Sequence, residues 1–183
     1  MKILAISGSL RKASHNTAVV ATLEELAPDS VTIERAEIGD LPLYNDDLDA
    51  DAVPAVVRLK AQIRDADAVI IATPEYNYGV PGPLKNAIDW ASRPGYKSVF
   101  ASKPVGILGA SGSTIGTARA HQQLKTILLG MLAQPFPYPE VLVAQAHAKI
   151  DSGVVTDRGT RDFLSKFLHA FVAWAPKVPP VAW

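Results

Sequence analysis

The chain has 183 residues, 48% of them apolar and 20% charged, with 18 lysines and arginines against 18 aspartates and glutamates. That size and composition suit one globular domain over residues 1–183, and the zero formal charge argues against nucleic acid or an acidic membrane surface as partner. Cysteine is absent, which excludes disulfides, thiol catalysis and cysteine-held metal or iron–sulfur centres.

The first strand is the apolar run Ile3-Leu4-Ala5-Ile6, continuous as in a strand buried on both faces. No signal-like apolar segment precedes it and no run reaches membrane-spanning length, so the expected location is the cytoplasm and no membrane partner is expected. The turn Ser7-Gly8-Ser9-Leu10-Arg11-Lys12-Ala13-Ser14-His15-Asn16-Thr17 follows, and Ala18, Val19, Val20, Leu23 and Leu26 then recur at helical spacing. Strand, polar turn and helix together aim backbone N–H groups at an anion. Gly8 permits a close backbone approach, Ser9, Ser14, Asn16 and Thr17 add polar donors, and Arg11 adds a forked cation suited to phosphate. Simple helix capping by Ser14 or Asn16 does not require so many polar groups in one turn. The stretch lacks the Gly-Lys-Ser/Thr of a Walker loop and the extra glycines of the dinucleotide fingerprint. A single phosphate, as in a mononucleotide, is the expected ligand.

A second strand is expected over Val31–Ile38, a turn-rich loop over Gly39–Asp47 and a helix over Val53–Arg64 with Pro54 in its first turn. Ala66–Thr73 reads as a third, buried strand. It ends in Pro74-Glu75-Tyr76-Asn77-Tyr78-Gly79-Val80-Pro81-Gly82-Pro83, before a helix from about Leu84 to Ala91. That loop joins two aromatics, a carboxylate and an amide to stiffening prolines, which suits either a planar ring lying on the backbone or a rigid structural turn. A fourth strand over Lys103–Ala110 ends in Ser111-Gly112-Ser113-Thr114, a helix covers Thr117–Leu132, and Glu140–Ala144 gives a fifth strand. The stripe Phe163, Leu164, Phe167, Leu168, Phe171 and Trp174 marks a last helix. Alternating strands and helices imply an α/β fold with a parallel sheet, and five strands fit the flavodoxin-like order 2-1-3-4-5. The polar loops after strands 1, 3 and 4 then share one edge of the sheet.

Rival chemistries find little support. Gly109-Ala110-Ser111-Gly112-Ser113 lacks the last glycine of a nucleophile elbow, and no His/Asp partner pattern accompanies Ser111. His121, His147 and His169 have no metal-ligand spacing, and His15 lies in the first loop within reach of ligand or solvent. Asp46, Asp47, Asp49 and Asp51 lack the glycine and terminal glutamate of a calcium loop and read as a solvated face.

The first loop and the run Thr73–Trp90, continued by Ala91-Ser92-Arg93-Pro94, resemble the NADPH-dependent FMN reductases, which include quinone, chromate and azo-dye reductases. That resemblance implies a flavodoxin-like three-layer sandwich with non-covalent FMN, NADPH or NADH as electron donor, and a homodimer or homotetramer. It assigns Ser9, Leu10, Arg11, Ser14, Asn16 and Thr17 to the phosphate side. Pro74, Glu75, Tyr76, Asn77 and Tyr78 would line the isoalloxazine, and Ser111 would close its other side. It implies hydride transfer to flavin N5 with no catalytic side chain, and a small electron-poor acceptor: a quinone, azo compound, chromate or free flavin. Arg119, Gln122 and Glu140 match an inter-subunit network of chromate-reducing relatives, with Gln122 where those have tyrosine. Trp90, Arg93 and the helix starting near Thr117 are interface candidates, with the core as the alternative for Trp90. The alternatives are a flavodoxin-type electron carrier, a protein with a vestigial nucleotide pocket, and a serine hydrolase.

Overall fold

The computed structural model describes residues 1–181. Its strands are β1 (Lys2–Ser7), β2 (Thr32–Ala36), β3 (Ala68–Ala72) and β4 (Pro104–Ala110), followed by the short β5 (Gln134–Pro135) and β6 (Val141–Val143). The main helices are α1 (His15–Leu26), α2 (Pro54–Asp65), α3 (Gly82–Ala91), α4 (Ala118–Gly130) and α5 (Arg158–Trp174). The sheet is parallel in the order β2-β1-β3-β4-β5, with β6 also pairing with β4. This is the expected order, and it sets the carboxyl ends of β1, β3 and β4 side by side.

The apolar runs have a direct physical cause. Along β1, Ile3 and Ala5 face the α1–α5 layer, while Leu4 and Ile6 face the layer of α2, α3 and α4. In β3, Ala68, Ile70 and Ala72 divide in the same way from Val69 and Ile71. A strand covered on both sides has no polar face to alternate.

The fifth position departs from the expected single strand over Glu140–Ala144. Gln134–Pro135 pairs with Pro104–Val105, and Val141–Val143 pairs with Leu108–Ala110 further along β4. Between them Pro137 and Pro139 cannot donate to a ladder. The excursion stacks Phe136 on Tyr138 at 5.1 Å and packs Phe136 against Phe167, Phe171 and Trp174 of α5. A small hairpin, β7 (Ile150–Asp151) and β8 (Val154–Val155), turns through Ser152 and Gly153, both at positive φ. It docks on α1 where the Val155 N–H donates to Thr22 Oγ1 at 2.8 Å. No helix among the described residues is long and apolar enough to cross a membrane.

Candidate functional site

The first loop leaves β1 through Gly8, whose N–H donates to the Ala72 carbonyl at 2.8 Å. A Cβ at Gly8 would lie 3.0 Å from Leu84 Cδ2 and 3.1 Å from Pro74 Cδ, so glycine lets the loop pass against the start of the second loop. Ser14 caps α1, its hydroxyl accepting from the Thr17 N–H at 3.3 Å. Thr17 Oγ1 in turn lies 2.9 Å from Ser7 Oγ. The remaining N–H groups of the first turn of α1 have no intrahelical acceptor. Arg11 folds back so that its guanidinium donates to the Ala13 carbonyl of its own loop.

Asn16, which lines the cavity described below, also ties two loops together. It is only 2% exposed; its Nδ2 donates to the Ala110 carbonyl at 3.0 Å and its Oδ1 accepts from the Ala110 N–H at 2.9 Å. The side chain thus reads both backbone groups at the end of β4 and locks the first loop to the third. These two bonds use one of the two Nδ2 hydrogens and one Oδ1 lone pair of the side-chain amide.

The second loop is a two-residue turn of the mirror-image type I kind. Tyr76 and Gly79 exchange N–H···O bonds of 3.1 and 3.0 Å, and Asn77 and Tyr78 between them have φ of 49° and 68°. Positive φ at a bulky residue such as Tyr78 is costly and persists where the surroundings over-determine it. Two clamps from α4 supply that support. The Glu75 carboxylate accepts from the N–H groups of Arg119 (2.9 Å) and Ala120 (3.1 Å) at the N-terminus of α4, and lies 3.4 Å from the Arg119 Nε. Gln123 Oε1 accepts from the Val80 N–H at 2.6 Å. The Arg119 guanidinium also covers the Tyr78 ring, 4.0 Å from its centroid. Glu75 is therefore spent on holding the loop. Replacing it by alanine strands two helix N–H groups and a guanidinium, and charge-assisted bonds of this kind are worth about 1.5–3 kcal/mol. We expect Glu75→Ala to lower the urea midpoint accordingly and Glu75→Gln, which keeps one acceptor, to lose less; equal midpoints for parent and alanine variant would refute the clamp.

The third loop follows β4. Ser111 N–H donates to the Val143 carbonyl, and the Ser111 carbonyl accepts from the Ala146 N–H, both at 3.0 Å. Its hydroxyl lies 3.1 Å from Ser113 Oγ and accepts from the Ser113 N–H at 3.1 Å.

These three loops enclose a cavity of about 390 Å³, within the range of about 300–1,000 Å³ usual for cofactor clefts. Ser9, Arg11, Ser14, His15 and Asn16 come from the first loop; Pro74, Glu75 and Tyr76 from the second; Ala110, Ser111 and Gly112 from the third. Asn77 and Tyr78 line an outer hollow of about 370 Å³ that shares Glu75 and Ser111 with it. Leu10 and Thr17 instead line a hollow of about 510 Å³ beside the end of β2. That one is larger but lies along β1 and β2, whereas the 390 Å³ cavity joins the carboxyl edges of β1, β3 and β4. One of its ends is polar and cationic and abuts a helix N-terminus; the other is walled by Pro74 and Tyr76. A phosphate tethered to a planar ring fits this division.

Several contributors were not singled out as ligand-site residues from the sequence: Arg119 and Gln123 as loop clamps, and His147, whose Nδ1 stands 3.8 Å from where a Gly112 Cβ would lie. Arg119 and Gln123 are four apart and so share a helix face, a signal visible in the sequence once the loop is known to pack there. Within the chain Arg119 pairs with Glu75, and Glu140 pairs with Lys125 at 3.1 Å. Trp90 belongs to the core, 1% exposed, with its indole N–H donating to the Pro42 carbonyl at 2.8 Å. Arg93 donates to Tyr44 Oη at 2.7 Å.

Residues 1–148 match the family described as NADPH-dependent FMN reductase. The chain is 44% identical over 180 residues to an NAD(P)H-dependent FMN reductase of Pseudomonas aeruginosa, covering 97% of each. It is 39% identical to a 2-hydroxy-1,4-benzoquinone reductase of a Burkholderia species, covering 95% of this chain and 96% of the relative. Among solved structures it superposes on FerB, a flavoenzyme NAD(P)H:(acceptor) oxidoreductase from Paracoccus denitrificans, with a TM-score of 0.88 at 43% identity over 97% of this chain and 98% of that one.

Proposed function

This chain belongs to the NADPH-dependent FMN reductase family, and from that premise we propose how its own residues serve an FMN-dependent NAD(P)H oxidoreductase with small quinone-type acceptors. The observation that carries the reading is the single cavity shared by the loops after β1, β3 and β4, polar at one end and ring-walled at the other. Bound there without a covalent link, FMN supplies the redox chemistry, hydride in from NADPH or NADH and electrons out to the acceptor.

The chain's part is to bind and orient. Ser9, Arg11, Ser14 and the free first-turn N–H groups of α1, including that of Asn16, hold the phosphate, with Thr17 supporting the Ser14 cap and Leu10 as the loop's outer edge. Pro74 and Tyr76 present the ring wall, Asn77 and Tyr78 the mouth, and Ser111 the opposite side. Glu75 sets the turn through α4 and keeps its backbone N–H groups fixed toward the ring edge where negative charge accumulates on reduction. No side-chain acid or base is required for hydride transfer, and we assign none. We further read residues 1–183 as one such domain, cytoplasmic, and working as a homodimer or homotetramer. Tyr76 and Tyr78, 50% and 73% exposed at the cavity mouth, offer apolar area for a partner copy.

Arg11→Ala should weaken FMN binding by about 1.5–3 kcal/mol, roughly ten- to a hundredfold, the usual worth of a charge-assisted contact. Titration of apoprotein with FMN by fluorescence reads this directly; equal affinities would remove Arg11 from the site. The activity itself is tested by NADH and NADPH oxidation with a benzoquinone as acceptor, which must depend on FMN.

A further inference from the structure

The hollow of about 510 Å³ beside the end of β2 lies outside the flavin cavity but meets it at Ser9, which lines both. Its floor is apolar, with Ala5 of β1, Val20 of α1 and Ile38 after β2 all buried. Leu10, 53% exposed, stands over the rim, its Cδ2 3.3 Å from where a Gly39 Cβ would lie. Ser7, Ser9 and Thr17 add hydroxyls on the side of the first loop, and Glu37 adds a carboxylate on the side of β2. An apolar slot with hydroxyls at one margin and a carboxylate at the other suits a ribonucleoside: the base enters the slot and the ribose diol donates to the carboxylate.

The place in the fold favours the same ligand. In dinucleotide-binding folds the strand–helix–strand unit sets an acidic residue beyond its second strand, where it accepts from the adenosine ribose. Here Glu37 directly follows β2 in the unit β1-α1-β2. The glycines this chain lacks serve the approach of a pyrophosphate, a separate requirement. Glu37 Oε1 accepts from the Gly39 N–H at 2.8 Å, and the carboxylate has no salt bridge among the described residues. The nearby cations are engaged elsewhere. Arg35 gives Nε and Nη2 to the two carboxylate oxygens of Glu24, and Arg58, which donates to the Glu37 carbonyl, is paired with Asp40. The hollow therefore offers an acceptor to ribose hydroxyls and an unpaired negative charge to a ribose phosphate.

We propose that this hollow is the adenosine subsite for the nicotinamide donor, with Glu37 on the ribose hydroxyls, so that it favours NADH over NADPH. The proposal rests on the NAD(P)H reading of the adjoining cavity. The two regions touch where Tyr76, on the ring wall, brings its Oη to 3.4 Å from Ser9 Oγ. A donor with its nicotinamide at that wall can thus pass Ser9 into the hollow.

The test compares NADH, NADPH and reduced nicotinamide mononucleotide, which lacks the adenosine, as donors to the FMN-loaded protein, and adds AMP as inhibitor and as calorimetric titrant. The KM for NADH should lie below those of the other two donors. AMP should bind the loaded protein and compete with NADH while leaving oxidation of the mononucleotide unaffected. Glu37→Ala should raise the KM for NADH about tenfold, the worth of a hydrogen bond to a charged acceptor, weaken AMP binding equally, and leave the KM for the mononucleotide as it was. Glu37→Gln should narrow the gap between NADH and NADPH. Equal KM values for NADH and the mononucleotide, or AMP that fails to bind or inhibits both donors alike, would overturn the subsite while the flavin reading stands. FAD held more tightly than FMN would assign the hollow to a flavin dinucleotide and overturn the donor assignment. Failure of the loaded protein to oxidise any of the three donors would overturn the NAD(P)H reading itself.

Discussion

Gly109→Ala should cost about 3 kcal/mol of stability, at the upper end of overpacking effects, and weaken the flavin site with it. A Cβ at this position would lie 2.1 Å from Thr117 Oγ1 and 2.4 Å from the Thr73 carbonyl oxygen. Both neighbours are fixed. Thr117 is fully buried at the start of α4, and Thr73 continues β3, where its N–H donates to the Leu108 carbonyl at 2.9 Å. Relief must come from moving β4 away from β3 or α4 away from both. Either motion disturbs Ala110, which Asn16 holds, and Arg119 and Ala120, which hold Glu75. Removing the hydroxyl through a second change, Thr117→Ala, should restore only part of the loss, since the Thr73 contact remains. Urea denaturation and FMN titration measure the two consequences. An alanine variant as stable as the parent would mean that these elements slide freely past one another.

The second large effect is a stability loss in mild acid that traces to His121. The ring is 1% exposed between α4 and the break in the fifth strand position, and its Nε2 has no hydrogen-bond partner among the described residues. Burial is the main cause that pulls its pKa down to about 4; Glu140 opposes this and Lys125 reinforces it. In the unfolded chain the same group titrates near 6.5. Between those values the unfolded state binds the extra proton, so stability is fully present above pH 6.5 and falls as pH drops toward 4. A displacement of this size corresponds to about 3 kcal/mol. His121→Leu should flatten the dependence between pH 7 and 4.5 in chemical denaturation, carboxylate titrations aside. An unchanged slope in the variant would show that the imidazole gains a proton in place without cost.

The sheet order and the three convergent loops were legible because strand burial and loop polarity are written locally. Ile3–Ile6 and Ala68–Ala72 leave few alternatives to a two-sided strand, and Ser9, Arg11 and Ser14 stand where such strands end. The fifth position was less legible. Its first part, Gln134–Pro135, is two residues beside prolines, and its pairing with β4 depends on tertiary contacts of Phe136 and Tyr138. The hairpin Ile150–Val155 has only Ser152-Gly153 as a turn signal.

Within the candidate site, residue types pointed to three loops that share one cavity, yet side-chain duties could not be read from type alone. Asn16 and Glu75 carry polar groups in the first and second loops, and both engage backbone groups far along the chain. The partners, Ala110 and Arg119–Ala120, are 94 and 44–45 residues away. Their roles are set by the packing of loops against one another, which no local pattern encodes. His147 comes near Gly112 for the same reason: the turn after β6 folds back on Ser111.

The central claim, that this chain binds FMN and takes electrons directly from a nicotinamide cofactor, is tested most directly by an absorbance spectrum of FMN-reconstituted protein before and after anaerobic NADPH or NADH. The account predicts oxidised-flavin bands that disappear on adding the reductant and return when a quinone is supplied. Flavin bands that persist with both nicotinamide cofactors would contradict it and point to a carrier fed by another protein.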